Sequence, residues 1–226
     1  MKILVACEES QAVTIELRKL GHEAYSCDII ECSGGHPEWH IMQDVLQILN
    51  PGMQLQGLSH EYFGIKPFKT MDGLIHFIYG KWDMIIAHPP CTYLTVTGNR
   101  WLNCARYGAE AQLRWNNRCM AICFFLAIAY ADCPKIVIEN PVGCMSTYYR
   151  KPDQIIHPWQ FALTDEEYTE KQTCLWLKGV SLLVPTVGTK PELTYHEWAT
   201  AASKTFPGIA RAMAEQLAGK AKEVTV

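Results

Sequence analysis

The sequence predicts an α/β protein in which helices cover both faces of a mostly parallel sheet. Residues 2–7 form a short apolar and β-branched run, Ser10 is a possible N-cap, and Val13, Leu17 and Leu20 follow at helical spacing. A second strand is predicted over residues 22–28. Because a helix that crosses between two strands lets them pair in parallel, this unit predicts a parallel sheet.

Two further apolar runs indicate strands at the centre of that sheet. Residues 82–87 and 135–141 are apolar enough to be buried on both faces, and prolines at or just after the end of each run stop strand pairing. The remaining predicted elements are a short strand over 41–45, a helix over 120–131, strands over 173–177 and 181–184, and an amphipathic helix over 207–217.

Length and composition predict a single domain over residues 1–226. The hydrophobic content of 49% is sufficient for one buried core. A stretch with Gly and Pro at about residues 50–80 carries an Asp72-Gly73 turn between two apolar runs, which is typical of a β-hairpin. We expect this insertion to interrupt the core without forming a separate domain.

Charge and cysteine usage narrow the class of protein. The 20 Lys and Arg residues against 23 Asp and Glu give a net charge of −3, which argues against a protein that wraps long stretches of duplex DNA. Ten cysteines lie in apolar segments with no signal peptide before them, so reduced thiols in the cytoplasm are predicted. No apolar run approaches the ~20 residues of a membrane span, and no membrane partner is expected.

A zinc site is one alternative interpretation of part of the chain. Cys27, Cys32, His36 and His40 lie close enough in sequence to converge on one ion. Their irregular spacing and the absence of a Cys-x-x-Cys pair are more typical of ordinary loop residues. No metal site is therefore predicted.

Two residues at the ends of the central strands are candidates for catalysis. Two prolines hold Cys91 on a turn, where it cannot join a helix or a strand ladder and can point at a ligand. Glu139 ends the next strand, and the carboxyl ends of neighbouring parallel strands lie about 5 Å apart. Cys91 as nucleophile and Glu139 as proton donor can therefore face one pocket. The alternatives are a buried structural thiol and an acid that caps a helix or pairs with a cation.

Two further acids follow the second and third predicted strands. Asp28 suits a pair of ribose hydroxyls, and Asp44 suits an adenine amino group. Each acid could instead only shape a turn. Two such acids in succession favour a nucleoside cofactor.

A cluster of arginines and aromatic residues occupies residues 98–118. It contains Arg100, Arg106, Arg114 and Arg118 together with Trp101, Tyr107 and Trp115. Such side chains contact phosphates and stack on a flipped base in nucleic-acid enzymes. A solvated helix face with two tryptophans in the core explains the cluster equally well.

The order of these motifs resembles phage and prophage proteins of the cytosine-5 DNA methyltransferase-like kind, in a short form without a large target-recognition domain. The similar segments are residues 89–91 (PPC), 139–141 (ENP), 171–177 (KQTCLWL) and 205–209 (TFPGI), and the resemblance covers residues 2–218. It implies a Rossmann-like, S-adenosylmethionine-dependent methyltransferase fold. It also implies methyl transfer to C5 of cytosine in DNA through a covalent cysteine adduct at C6.

The resemblance implies a role for particular residues. Cys91 would attack C6, and Glu139 would protonate or hydrogen-bond N3, while a water could remove the C5 proton. The residues that would bind S-adenosylmethionine are Cys7, Glu8, Asp28, Asp44 and Pro89, and those that would contact the substrate are Pro90, Asn140, Arg100 and Lys171.

Several departures from the wider enzyme group keep other functions open. The first loop, residues 6–11, lacks the glycines that bring backbone close to the cofactor, and Pro141 replaces a valine. Only residues 179–204 stand where sequence-reading enzymes carry a recognition domain. One alternative is the same chemistry on a free pyrimidine nucleotide or RNA. The other is a non-catalytic phage binding or decoy protein that retains the fold.

Overall fold

The computed structural model describes residues 1–50, 65–190 and 205–221. The strands in these residues are β1 (Lys2–Ala6), β2 (Glu23–Asp28), β3 (His40–Met42), β4 (Ile65–Lys69), β5 (Ile75–Tyr79), β6 (Met84–Ala87), β7 (Ile136–Pro141), β8 (Gln154–Ile156) and β9 (Thr173–Lys178). The α-helices are α1 (Ala12–Lys19), α2 (Cys104–Ala129), α3 (Met145–Tyr148) and α4 (Pro207–Ala212), and α4 continues into a π-helical turn, Met213–Ala218.

The main sheet has seven strands in the order β3-β2-β1-β6-β7-β9-β8. The first five of these pair in parallel, and β9 runs antiparallel to both β7 and β8. This arrangement confirms the predicted α/β class with a mostly parallel, Rossmann-like sheet. The carboxyl ends of the five parallel strands meet at one edge of the sheet, where ligands bind in open α/β folds.

Helices cover both faces of this sheet, as predicted. Since successive side chains of a strand point to opposite faces, Leu4 and Ile85 pack in one core with Phe125 of α2. Ile3 and Val5 pack in the other core with α1 and α4. Burial on both faces explains why the central strands are continuously apolar.

The start of α1 differs from the predicted cap at Ser10. The helix begins at Ala12, and the carboxylate of Glu8 accepts hydrogen bonds from the backbone nitrogens of Val13 (2.6 Å) and Thr14 (3.3 Å). The carboxylate therefore satisfies donors that the first helical turn leaves unpaired. Glu8, in the loop before the helix, thus caps the helix in place of the predicted Ser10.

The prediction of a strand over residues 181–184 is wrong. The backbone of Leu183 instead exchanges two hydrogen bonds with the side-chain amide of Gln154, at 2.7 and 2.8 Å. The side-chain amide of Gln216 pairs with Val184 in the same way. Because side chains satisfy this backbone, no strand partner is needed, and β8 occupies the sheet edge.

The helix predicted over 120–131 is the second half of a longer helix. α2 begins at Cys104, after Asn103 caps it by accepting a hydrogen bond from the Arg106 backbone nitrogen at 3.1 Å. Gly108 has a φ of 52° and interrupts the helical backbone. The polar first half of α2 carries most of the arginine and aromatic cluster, which masks its helical pattern.

An antiparallel pair, β4 and β5, lies between β3 and β6 in the chain. Its turn contains Gly73 at φ 92°, and Asp72 accepts hydrogen bonds from Thr70 and Leu74. The rest of the predicted insertion, residues 51–64, lies outside the described residues, and the single-domain assignment stays a prediction. None of the helices in the described ranges combines the length and apolar character needed to cross a membrane.

Gly208 offers a test of how tightly α4 is packed. A methyl group there would collide with the Phe161 carbonyl and lie 2.8 Å from the Glu167 carboxylate. We expect Gly208→Ala to lower the free energy of unfolding by about 1–3 kcal/mol, as overpacked cores do, in chemical denaturation. Gly188→Ala is the matched control, because no atom lies within 4 Å of the added carbon. Equal stability of the two variants would contradict this packing.

Candidate functional site

A cavity of about 220 Å³ lies at the carboxyl edge of the sheet, where β6 and β7 end. The parallel pairing of Ala87 with Ile138 brings the next residue of each strand, His88 and Glu139, side by side. Six of the residues predicted from the sequence line this cavity: Pro89, Pro90, Cys91, Glu139, Asn140 and Lys171.

Cys91 is held on a turn and is partly buried. Its carbonyl accepts hydrogen bonds from the backbone nitrogens of Leu94 (2.9 Å) and Thr95 (3.1 Å). Burial raises the pKa of the Cys91 thiol, the negative charge of Glu139 raises it further, and the positive charge of Lys171 partly opposes both. In the ligand-free protein at neutral pH, Cys91 is therefore a protonated thiol.

Glu139 forms a pair with a histidine that the sequence analysis did not single out. The His88 Nδ1 lies 3.1 Å from the Glu139 Oε2, and their side chains are only 10% and 16% exposed. Burial lowers the pKa of His88, but the hydrogen bond that its ring donates to Glu139 and the charges of Glu139 and Glu8 outweigh this effect and leave the pKa raised. His88 therefore stays protonated to a higher pH than an ordinary histidine.

Asn140 joins the two strand ends and leaves one acceptor unused. Its side chain is 2% exposed, and its Nδ2 donates a hydrogen bond to the Pro89 carbonyl at 2.7 Å. Its Oδ1 is buried and has no hydrogen-bond partner within the described residues. An unpaired buried oxygen is costly, and the residue that carries it lines the cavity.

A second cavity of about 290 Å³ lies beside the first, at the ends of β1, β2 and β3. Cys7, Asp28, Asp44 and Phe124 line it, and Pro90 lines both cavities. Burial and the charge of Asp28 raise the pKa of Cys7. Three of the predicted cofactor contacts therefore share one cavity that adjoins the Cys91 cavity.

Both acids in this second cavity also shape local turns, as the alternative interpretation stated. Asp28 Oδ1 accepts from the Ile29 backbone nitrogen at 2.7 Å, and Asp44 Oδ1 accepts from that of Leu46 at 2.9 Å. The second oxygen of each carboxylate makes no hydrogen bond within the described residues. A turn role and a ligand role are thus compatible at both positions.

Two predicted site residues are not brought into these cavities. The Glu8 carboxylate faces α1, where it accepts hydrogen bonds from Val13 and Thr14, and the role of Glu8 in cofactor binding stays a prediction. Arg100 lies on the exposed 3-10 helix Val96–Leu102 and does not line the Cys91 cavity. Its guanidinium stacks over the Trp101 ring at 4.8 Å.

The arginine and aromatic cluster divides into an inner and an outer part. Arg114 donates to the Thr92 carbonyl at 3.0 Å, and Arg118 donates to the Tyr93 carbonyl at 2.7 Å. These two side chains hold the segment that follows Cys91. Arg100 and Arg106 are exposed, and Arg106 stacks over Tyr107 at 5.3 Å on the rim of a cavity of about 360 Å³.

The described residues contain no group of three His, Cys, Asp or Glu side chains placed to hold a metal ion. The members of the zinc alternative have other contacts. His36 stacks on Trp39 at 3.8 Å, and His40 bonds to Ser26 at 2.8 Å and to the Ile30 carbonyl at 2.9 Å.

Sequence reasoning missed His88 and the role of Thr205 beside it. The Thr205 Oγ1 lies 3.3 Å from the His88 Nδ1 and comes from the segment just before α4. Thr205 belongs to the similar segment 205–209, and its distance of 117 positions from His88 leaves no local signal of their contact. His88 could have been found, because it directly follows a buried strand that ends at a functional edge.

Known proteins resemble this chain in structure and not in sequence. No protein-family model matches the sequence, and no curated protein matches it. Among solved structures, the chain is similar to a protein assigned as a DNA modification methyltransferase and encoded within a prophage of E. coli. The TM-score is 0.39 at 11% identity, over 77% of this chain and 45% of that one. The chain spans less than half of that protein's length, and this likeness bears on neither activity nor substrate.

The electrostatics of Cys91 lead to a test by alkylation. Because the charge of Glu139 raises the thiol pKa, Glu139→Gln should increase the rate at which iodoacetamide modifies Cys91 at neutral pH. Each unit by which the pKa falls raises the thiolate fraction about tenfold. Peptide mass spectrometry measures the rate, and the exposed Cys104 in the same molecules is the internal control. Unchanged or slower labelling of Cys91 would contradict the stated charge effect.

Proposed function

We propose that the protein transfers a methyl group from S-adenosylmethionine to C5 of cytosine in DNA, through a covalent adduct between Cys91 and C6. One observation carries the proposal. A thiol and a nearly buried carboxylate face one cavity, and this cavity shares Pro90 with a second cavity that two acids line. Two adjoining cavities suit a reaction between a base and a nucleoside cofactor.

The second cavity fits the cofactor by its donor set. Asp28 and Asp44 each have a carboxylate oxygen without a hydrogen bond in the described structure, and a ribose diol and an adenine amino group are both donors. Phe124 and Pro90 supply apolar contact for a ring. S-adenosylmethionine, when bound, would supply an electrophilic methyl group.

The residues of the first cavity support addition to a pyrimidine. Cys91 gives its thiol proton to water and forms a bond to C6, which breaks the aromaticity of the ring and makes C5 nucleophilic. Glu139 protonates N3 and holds the added electron density there. The Asn140 Oδ1 accepts a hydrogen bond from the exocyclic amino group, which a uracil ring lacks. After methyl transfer, water removes the C5 proton and Cys91 leaves C6.

The exposed part of the arginine and aromatic cluster supports DNA as the substrate. Arg100 and Arg106 present charge beside aromatic rings, and this combination binds backbone phosphates and unstacked bases. The same chemistry on a free pyrimidine nucleotide or RNA is the second candidate, which the net charge of −3 favours. A non-catalytic binding protein is the third, and the raised pKa of Cys91 favours it.

Methyl transfer to three acceptors tests the reaction. Labelled S-adenosylmethionine is incubated with cytosine-containing duplex DNA, single-stranded DNA or dCMP. We expect label in DNA with the wild type and none with Cys91→Ser, because a hydroxyl at that position is too weak a nucleophile. Cys104→Ser, which changes an exposed cysteine, is the matched control and should retain activity.

Turnover by Cys91→Ser near the level of the wild type would contradict the assignment of Cys91 as the nucleophile. Label in dCMP alone would move the substrate to a free nucleotide. If the cofactor binds and no acceptor is labelled, the protein is a binding module.

Removal of the Asp44 carboxylate should weaken the binding of S-adenosylmethionine. Asp44→Ala removes an acceptor for the adenine amino group, so we expect the binding free energy of S-adenosylmethionine to fall by about 1–3 kcal/mol in calorimetry. Asp132→Ala is the control, because Asp132 pairs with Lys81 on the surface and lines neither cavity. Equal affinity in the two variants would refute the assigned role of Asp44.

A further inference from the structure

His88 differs from two other buried histidines of this chain in how its ring nitrogens are used. His22 bonds to the amino terminus (3.3 Å) and to the Gly219 carbonyl (2.7 Å), and His40 bonds to Ser26 and the Ile30 carbonyl. Both nitrogens of each ring are satisfied, and burial lowers the pKa of both residues. These are structural histidines.

His88 places a single nitrogen against two possible partners. Its Nδ1 faces Glu139 at 3.1 Å and Thr205 at 3.3 Å, whereas its Nε2 is buried without a hydrogen-bond partner in the part of the chain that the structure describes. A ring kept only for stability would be expected to satisfy both nitrogens. The geometry instead directs the protonated nitrogen at one carboxylate.

Charged groups on three segments of the chain act on His88. Glu139 lies on β7, Glu8 follows β1, and Lys171 precedes β9. The two acids favour the imidazolium and the lysine opposes it, with a raised pKa as the net effect. Thr205, before α4, is a neutral neighbour, and Cys91 lies three residues further along the same loop.

We propose that His88 is a positioning residue that supplies Glu139 with the proton delivered to N3 of the base. This inference rests on the proposed function. As Cys91 adds to C6, the N–H bond at Nδ1 breaks and an O–H bond forms on Glu139. The resulting carboxylic acid donates its proton to N3 and is a carboxylate again, while His88 becomes neutral. When Cys91 leaves C6, the N3 proton returns through Glu139 to His88, and the Cys91 thiolate regains a proton from water. The only proton released over the cycle is therefore the one that water removes from C5.

His88→Asn separates this role from a structural one. The asparagine Nδ2 takes the place of the imidazole Nδ1 and still donates a hydrogen bond to Glu139, but it carries no transferable proton. We expect kcat to fall on the order of 10²-fold, the usual contribution of a positioned proton donor. In the wild type, kcat falls as pH rises through the raised pKa of His88, and this limb is absent from the profile of His88→Asn.

His22→Asn is the matched control, because it alters a buried histidine that makes no contact with the site. Its pH profile should keep the alkaline limb of the wild type. An alkaline limb that survives in His88→Asn would overturn the inference while the proposed function stands. If the wild type itself labels no acceptor, the proposed function fails first, so the two failures are distinguishable.

A measurement without turnover tests the pair directly. NMR titration of the imidazole signals should give His88 a higher pKa than His22 or His40, and Glu139→Gln should lower the pKa of His88 alone. The sign follows because the substitution removes a negative charge that favours the imidazolium. A His88 pKa that is not raised, or that Glu139→Gln leaves unchanged, would overturn the inference.

Discussion

The parallel pairing of β6 with β7 is the constraint on which the site depends. Ile85, Ile86 and Ala87 pair with Ile136, Val137 and Ile138, and both faces of these strands are buried. A slip by one residue would turn every one of these side chains to the opposite face. The register therefore fixes His88 beside Glu139, and the prolines that follow His88 turn Cys91 into the same cavity.

The long helix α2 stabilises the turn that this register creates. The segment after Cys91 leaves sheet and helix, so its carbonyls need other donors, and Arg114 and Arg118 supply them. Hydrogen bonds from a guanidinium are charge-assisted and stronger than neutral ones. A side chain at Gly98 would collide with the Arg114 guanidinium, so the glycine permits the contact. Part of the basic cluster thus positions the segment that follows Cys91, whatever its exposed part binds.

The features that sequence predicts well here are those set by local pattern. Period, apolar content and proline position locate the central strands, and strand ends bring Cys91 and Glu139 to one edge. The failures involve partners distant in sequence: Leu183 is satisfied by Gln154, and His88 meets Thr205. Glu8 is a different case, because an acid next to a strand end suits a ligand and the adjacent helix equally, and only the fold shows that its carboxylate contacts the helix.

The charges of the cavity link two proton movements that a pyrimidine addition needs. The charge of Glu139 raises the pKa of Cys91 and also contributes to raising the pKa of His88. While Glu139 is a carboxylate, it keeps the thiol protonated and the imidazole charged. Once the proton of His88 reaches Glu139, that negative charge is gone and the pKa of Cys91 falls. Neutralisation of Glu139 would thus promote thiolate formation at the moment when N3 requires a proton donor. In the proposed reaction, protonation of the base and deprotonation of Cys91 would therefore both depend on the charge of Glu139.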